Sequence, residues 1–238
     1  MKNKFKKLFL LPLLFLLCFV APGCSESSGE SAPQPSNSAG QGNASLTAFA
    51  SKLQLSEGEL EELLTTEQNS KLYKLVPASK GNTDKDFWVN LVTTDQEYMQ
   101  TYFLDRKVLQ KKQAADEFSE MISGMWDQSP AQTLLFMVTL DGEYCGIISC
   151  HELNYRLGAV ISYVTAKQYK NQKVATNALK MVLGLLRRLN EKGIYSVKTV
   201  SVWIFDDNEP SIQVAKSGGF SYAENDAQNK RGRYSLDL

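Results

Sequence analysis

Residues 157–220 read as strand, turn, amphipathic helix, strand and second helix, an order that few folds accommodate. The strand is Ala-Val-Ile-Ser-Tyr-Val-Thr at 159–165, and the turn is Tyr-Lys-Asn-Gln-Lys-Val-Ala-Thr at 169–176. Ala175, Ala178, Leu179, Val182, Leu185, Leu186 and Leu189 then recur at helical spacing, which predicts a helix over 174–190 ended by Lys192-Gly193. Its N-terminus falls beside the end of a central strand. Backbone N–H groups and the positive end of the helix dipole there suit an anion such as pyrophosphate. A second strand is expected over 195–204, where Val200, Val202 and Ile204 alternate with Ser201 and Trp203. Asp206-Asp207-Asn208 turns it into a short helix over 210–216, with Pro210 suited to a first turn.

The elements on either side extend the same architecture. Residues 55–65 predict a helix capped by Ser56 with Leu60, Leu63 and Leu64 inward, and 71–78 a strand. Residues 87–94 alternate Trp88, Asn90 and Val92 against Val89, Leu91 and Thr93, which predicts a strand. Asp95 caps a helix running through Tyr98, Met99, Tyr102 and Phe103, and a further helix spans 114–126 with Phe118, Met121, Ile122 and Met125 in one stripe. Two apolar strands, 134–140 and 144–150, meet at Asp141-Gly142, a strong hairpin signal. Tyr234, Leu236 and Leu238 alternate in a last strand. The order from Phe87 is β-α-α-β-β-β-α-β-α-β-β, a mixed α/β (α+β) fold around a single central sheet.

The N-terminus is of another kind. Lys2, Lys4, Lys6 and Lys7 precede an almost wholly apolar run over 8–20, short for a ~30 Å hydrocarbon core and interrupted by Pro12. Residues 1–23 therefore read as a secretory signal, with an uncleaved single-span anchor as the alternative. The Ala21-Pro22-Gly23-Cys24 junction resembles a lipobox, which implies lipidation at Cys24. Residues 25–45 are rich in Ser, Gly, Pro, Asn and Gln and read as a flexible tether. Both features point to an extracytoplasmic body held to a cell membrane or outer membrane. The expected organisation is a signal over 1–23, lipidated Cys24 with its linker over 24–46, an N-terminal extension over 47–86 and a domain over 87–238.

The whole chain carries 26 basic and 26 acidic residues, and without the four leader lysines its net charge is −4, which does not favour nucleic acid. Cys145 and Cys150 lie five residues apart on one strand, beyond disulfide reach at about 3.3 Å per residue, and read as small buried apolar groups. His151 is the only histidine and no Cys-x-x-Cys occurs, so no metal site is expected.

Two blocks resemble the GNAT N-acetyltransferase superfamily, in particular the branch similar to ribosomal-protein N-terminal acetyltransferases. The run from Tyr169 to Leu179 is similar to that family's tyrosine-arginine-glycine-glutamine-glycine turn and alanine-leucine helix start. Residues 206–220, with Asn208, Ser211, Val214 and Gly219-Phe220, are similar to its second block. The resemblance covers 87 to the C-terminus and implies acetyl-CoA, or another acyl-CoA, as donor. Its pantetheine arm would pair with backbone near Tyr163, Val164 and Thr165. Its pyrophosphate would lie on the turn formed by Lys170, Asn171, Gln172, Lys173, Val174 and Ala175, with Asn208 as a further contact. Ser211 matches a serine that protonates the departing thiolate, and it is equally placed to serve as an ordinary first-turn helix residue.

The resemblance also has departures. Lys173 stands where the family has glycine, Val160 replaces a common glutamate, and a tyrosine used elsewhere for the thiolate falls at Ala215. Glu224, Glu152 and His151 are the candidate bases, His151 from its pKa range. The implied function is direct acyl transfer to an unidentified amine. The alternative is a catalytically degenerate GNAT-fold binding module of the cell envelope.

Overall fold

Asp141 and Gly142, with φ of 52° and 90°, close a two-residue hairpin between β3 (Leu134–Leu140) and β4 (Glu143–His151). Every residue of β3 is buried, as a strand covered on both faces must be. In this computed structural model the described residues are 39–102, 109–153 and 158–238. The expected signal over 1–23, Cys24 and the tether as far as residue 38 lie outside them, as does Phe103.

The sheet grows outward from the hairpin. On one side lie β2 (Lys71–Pro77) and β1 (Thr65–Gln68). On the other lie β5 (Ala159–Thr165), β6 (Thr199–Phe205), β8 (Arg231–Asp237) and β7 (Ser221–Asp226). The order is β1-β2-β3-β4-β5-β6-β8-β7, antiparallel throughout except for the parallel pair β5–β6. The helices are α1 (Ala39–Lys52), α2 (Glu57–Leu63), α3 (Asn82–Thr94), α4 (Gln96–Met99), α5 (Lys111–Trp126), α6 (Val174–Glu191) and α7 (Glu209–Ser217).

Local chemistry sets the helix starts. The Ser56 hydroxyl accepts from Glu59 N–H at 3.2 Å, Asp95 Oδ1 from Tyr98 N–H at 3.0 Å and Asn208 Oδ1 from Ser211 N–H at 3.3 Å. Burial does the rest. Val174, Ala178, Leu179, Val182, Leu185, Leu186 and Leu189 of α6 are all buried, and each large aliphatic side chain contributes about 1.5–3 kcal/mol when removed from water. Cys145 and Cys150 are both free thiols buried in this core.

Several expectations are corrected. Residues 87–94 are not a strand but the body of α3, because Asp84, Trp88 and Val92 are buried at a spacing of four. Trp88 Nε1 fixes that face by donating to Ala114 O at 2.7 Å. The tether is shorter than predicted, since α1 begins at Ala39; Phe49 and Leu53 are 0% and 1% exposed, and a helix nucleated by their packing propagates back through poor helix formers. The sheet does not begin at residue 87: β1 and β2, from the expected extension, are two of its eight strands. Finally, β6 starts at Thr199 rather than 195. The segment before it is pinned as a loop by Tyr195 Oη on Ala131 O (2.8 Å) and by Asn190, whose amide exchanges hydrogen bonds with the Val197 backbone.

Candidate active site

The parallel pair β5–β6 is joined at only two positions, Ala159 with Val200 and Val160 with Ser201. Beyond this vertex the strands part, and each keeps its outer partner, β4 or β8. Ala166 N–H donates to Cys145 O at 2.8 Å, which fixes the phase of β5. Even-numbered residues turn their backbone to β4, and Ile161, Tyr163 and Thr165 turn theirs into the gap. Tyr163 and Thr165 are therefore available to an extended ligand. Val164, expected among them, is not, because its N–H and C=O belong to the β4 ladder.

At the mouth of the gap, one turn of 3-10 helix (Lys167–Tyr169) leads into the start of α6. Asn171 and Lys173 there have φ of 62° and 56°, the left-handed region in which glycine is at ease. The chain thus keeps a glycine-type turn without the glycines, the more costly substitution being Lys173. Gln172 N–H and Lys170 N–H are used within the turn, on Tyr169 O and Lys167 O. The N–H groups of Lys173, Val174 and Ala175 open the helix without intrahelical acceptors. Val174 can contribute only through backbone, since its side chain is 2% exposed.

The lysine side chains are less free than the sequence implied. Lys167 Nζ pairs with Asp95 Oδ2 at 2.6 Å, which holds the Asp95 carboxyl below its ordinary range. Lys170 Nζ lies 4.0 Å from the centre of the Tyr98 ring. Tyr98 Oη donates to Thr165 O at 2.7 Å, so it satisfies one of the backbone groups aimed into the gap. Asn208 Nδ2 donates to Thr101 O at 3.3 Å. The segment from Asp95 to Thr101 therefore spans the mouth, touching β5, the turn and the start of α7. The sequence places Tyr98 on a helix but not at this mouth, because nothing local distinguishes it from a core-facing helix tyrosine.

Across the gap, Tyr163 Oη donates to Ser211 O at 3.0 Å, which brings the first turn of α7 against β5. Ser211 is half-buried there. Burial pushes the Tyr163 hydroxyl well above its usual range, so it remains a donor. Tyr163, Thr165, the turn 170–175, Asn208 and Ser211 are thus assembled around one cleft.

The candidate bases are not equally placed. His151 lies directly opposite Val160 in the β4–β5 register, beside the vertex. Its Nε2 is 2.7 Å from Ser149 Oγ, and burial lowers its pKa to about 4, which keeps the ring neutral at ordinary pH. Glu152 follows it with φ of 61° and points to solvent. Glu224 is exposed on edge strand β7, two strands (about 10 Å) beyond β6, and is paired with Arg233 at 2.9 Å. The structure brings His151 to the vertex, turns the neighbouring Glu152 to solvent and leaves Glu224 away on the sheet edge. Among the described residues there is no cluster of three or more His, Cys, Asp or Glu suited to a metal.

A splayed parallel pair with an anion-directed turn at its mouth is a cleft for an extended ligand with a charged end, and helices flank the mixed sheet that contains it. The family described as "Acetyltransferase (GNAT) domain" matches residues 75–221. The chain belongs to that family, and its fold is the GNAT fold. Among solved structures, Mycobacterium smegmatis RimJ in complex with CoA-disulfide is similar, at 19% identity and a TM-score of 0.55 over 70% of this chain and 82% of that one. The microcin C7 self-immunity acetyltransferase MccE, solved with acetyl-CoA and AMP, gives 15%, 0.54, 70% and 92%. Spermidine N-acetyltransferase from Vibrio cholerae, solved with CoA and spermine, gives 13%, 0.56, 69% and 95%. At these identities the likeness is one of fold. No curated protein matches the sequence.

Proposed function

We propose that this chain transfers an acyl group, most simply acetyl, from CoA to an amine by direct transfer. The observation that carries this is the two-pair junction of β5 and β6 together with the helix start at Lys173, Val174 and Ala175, whose N–H groups have no intrahelical acceptor. The donor brings a thioester already reactive toward amines. The protein holds its phosphates on the turn, pairs its amides with Tyr163 and Thr165, and offers the Ser211 hydroxyl as proton source to the departing sulfur. The amine proton passes to solvent, because burial leaves His151, beside the vertex, too weak a base to hold it.

A degenerate binding module is the second reading. Tyr98 on Thr165 O favours it, because that hydroxyl already takes one acceptor position of the backbone that a ligand amide would use.

Titration of residues 36–238 with acetyl-CoA and desulfo-CoA decides between them. Micromolar binding, with stabilisation of about 2.7 kcal/mol at a hundredfold excess over Kd, supports the cleft. Absence of binding at millimolar ligand, with the protein folded, removes the acyltransferase reading. In an enzyme, Ser211→Ala leaves acetyl-CoA affinity in place and lowers thiol release with a panel of primary amines by about a hundredfold.

The proposed setting is extracytoplasmic, with the body tethered through lipidated Cys24, and the acceptor would be an amine reachable from the membrane surface. CoA thioesters are cytoplasmic metabolites, so that setting requires a donor supplied outside the cytoplasm. Among the described residues no helix is long and apolar enough to cross a membrane. Cys24→Ala is expected to abolish incorporation of labelled fatty acid into the protein; unchanged incorporation would exclude lipid anchoring at this residue.

A further inference from the structure

The turn that opens α6 is held in place from β2, by residues that precede the region matched by the family. Tyr73 is 3% exposed, and its hydroxyl donates to Gln172 O at 2.9 Å. Two residues earlier, Lys71 Nζ donates to Gln172 Oε1 at 2.8 Å. Both reach the one residue that separates the left-handed positions Asn171 and Lys173. In a trans peptide the C=O and N–H point to opposite sides. Anchoring Gln172 O inward on Tyr73 therefore aims Lys173 N–H outward, to the side on which Val174 and Ala175 N–H also open. The strain of a lysine in left-handed backbone and the gain from one hydrogen bond are of similar size, so the second can offset the first.

We infer that Tyr73 is a positioning residue for the anion site: its hydroxyl locks the Gln172–Lys173 peptide so that Lys173 N–H faces the phosphates of a CoA-type ligand. A hydrogen bond from the sheet thereby does what glycine does through conformational freedom. The ligand half of this inference rests on the CoA reading above, whereas the peptide orientation does not.

The test uses the full chain and Tyr73→Phe, which keeps the buried ring and removes only the hydroxyl. Backbone chemical shifts of Gln172 and Lys173, recorded without ligand, report the peptide; CoA and inorganic pyrophosphate titrations report the site. The expected result is a shift confined to residues 171–174 and CoA binding weakened by about three- to tenfold, with little change in Tm. Tyr73→Phe/Lys173→Gly should recover most of the lost affinity, because glycine occupies the left-handed region unaided. Unchanged Lys173 shifts overturn the inference whatever happens to CoA, and so does unchanged affinity for CoA in a variant whose shifts move. If the wild-type chain binds no CoA, the acyl-CoA reading fails, while the ligand-free shifts and the pyrophosphate titration still decide the role of Tyr73.

Discussion

Gly158→Ala is expected to destabilise the protein by about 3 kcal/mol, a fall in Tm of about 6–12 °C for a chain of this size. Two costs add at this position. Gly158 has φ of 99°, which a residue with a side chain adopts only under strain, and a Cβ built there would stand 2.3 Å from Thr199 O. The obstructing atom is backbone at the start of β6, so no rotamer change relieves the contact. Gly193→Ala is the control. Gly193 also has a positive φ, 70°, but nothing lies within 4 Å of its would-be Cβ, so it should lose only about 1 kcal/mol. Equal losses in the two variants would show that close approach at the vertex is unimportant. Because Gly158 abuts the two residue pairs that join β5 to β6, the alanine should also open the cleft at its base, and CoA affinity should fall further than Tm alone indicates.

Below pH 6.5 the wild-type protein is expected to lose stability that His151→Gln keeps. Burial lowers the His151 pKa to about 4 from an ordinary 6.5. Between those values the unfolded chain takes up a proton that the native one refuses, so stability falls as pH drops through this window and levels off below it. The full difference corresponds to about 3 kcal/mol. Glutamine preserves a partner for Ser149 Oγ without titrating, so urea melts of the two proteins at pH 7, 6, 5 and 4 isolate the histidine from the carboxylates that titrate nearby. Parallel curves would mean that the ring is solvated in the native state.

The parts legible in sequence were those in which one local rule dominates. Asp141-Gly142 demanded left-handed backbone and gave the hairpin; Ser56, Asp95 and Asn208 announced helix starts; the α6 stripe gave both its length and its inward face. The strand proposed for 87–94 failed because β-branched Val89, Val92, Thr93 and Thr94 imitate a strand. The deciding contacts, Trp88 on Ala114 O and Asp84 accepting from Ser79 Oγ (2.8 Å) and Tyr144 Oη (2.8 Å), come from tertiary structure. Strand β1 was missed since Thr65–Gln68 is short and polar, an edge strand with one partner. At the site, the turn that opens α6 was readable from its motif. The phase of β5 that removes Val164, and the hydroxyls of Tyr73 and Tyr98 arriving from distant elements, depend on register and packing that spacing along the chain does not encode.

The sheet has a seam. Five strands, β1 to β5, and three, β6, β8 and β7, meet through two residue pairs, so hydrogen bonding is weakest where the cleft opens. An extended ligand seated there acts as a ninth strand, supplying rungs that the polypeptide withholds from itself. Occupancy then appears as mechanical continuity: amides of β6 and β8, on the smaller side of the seam, should exchange with solvent more slowly, and the two blocks should unfold as one.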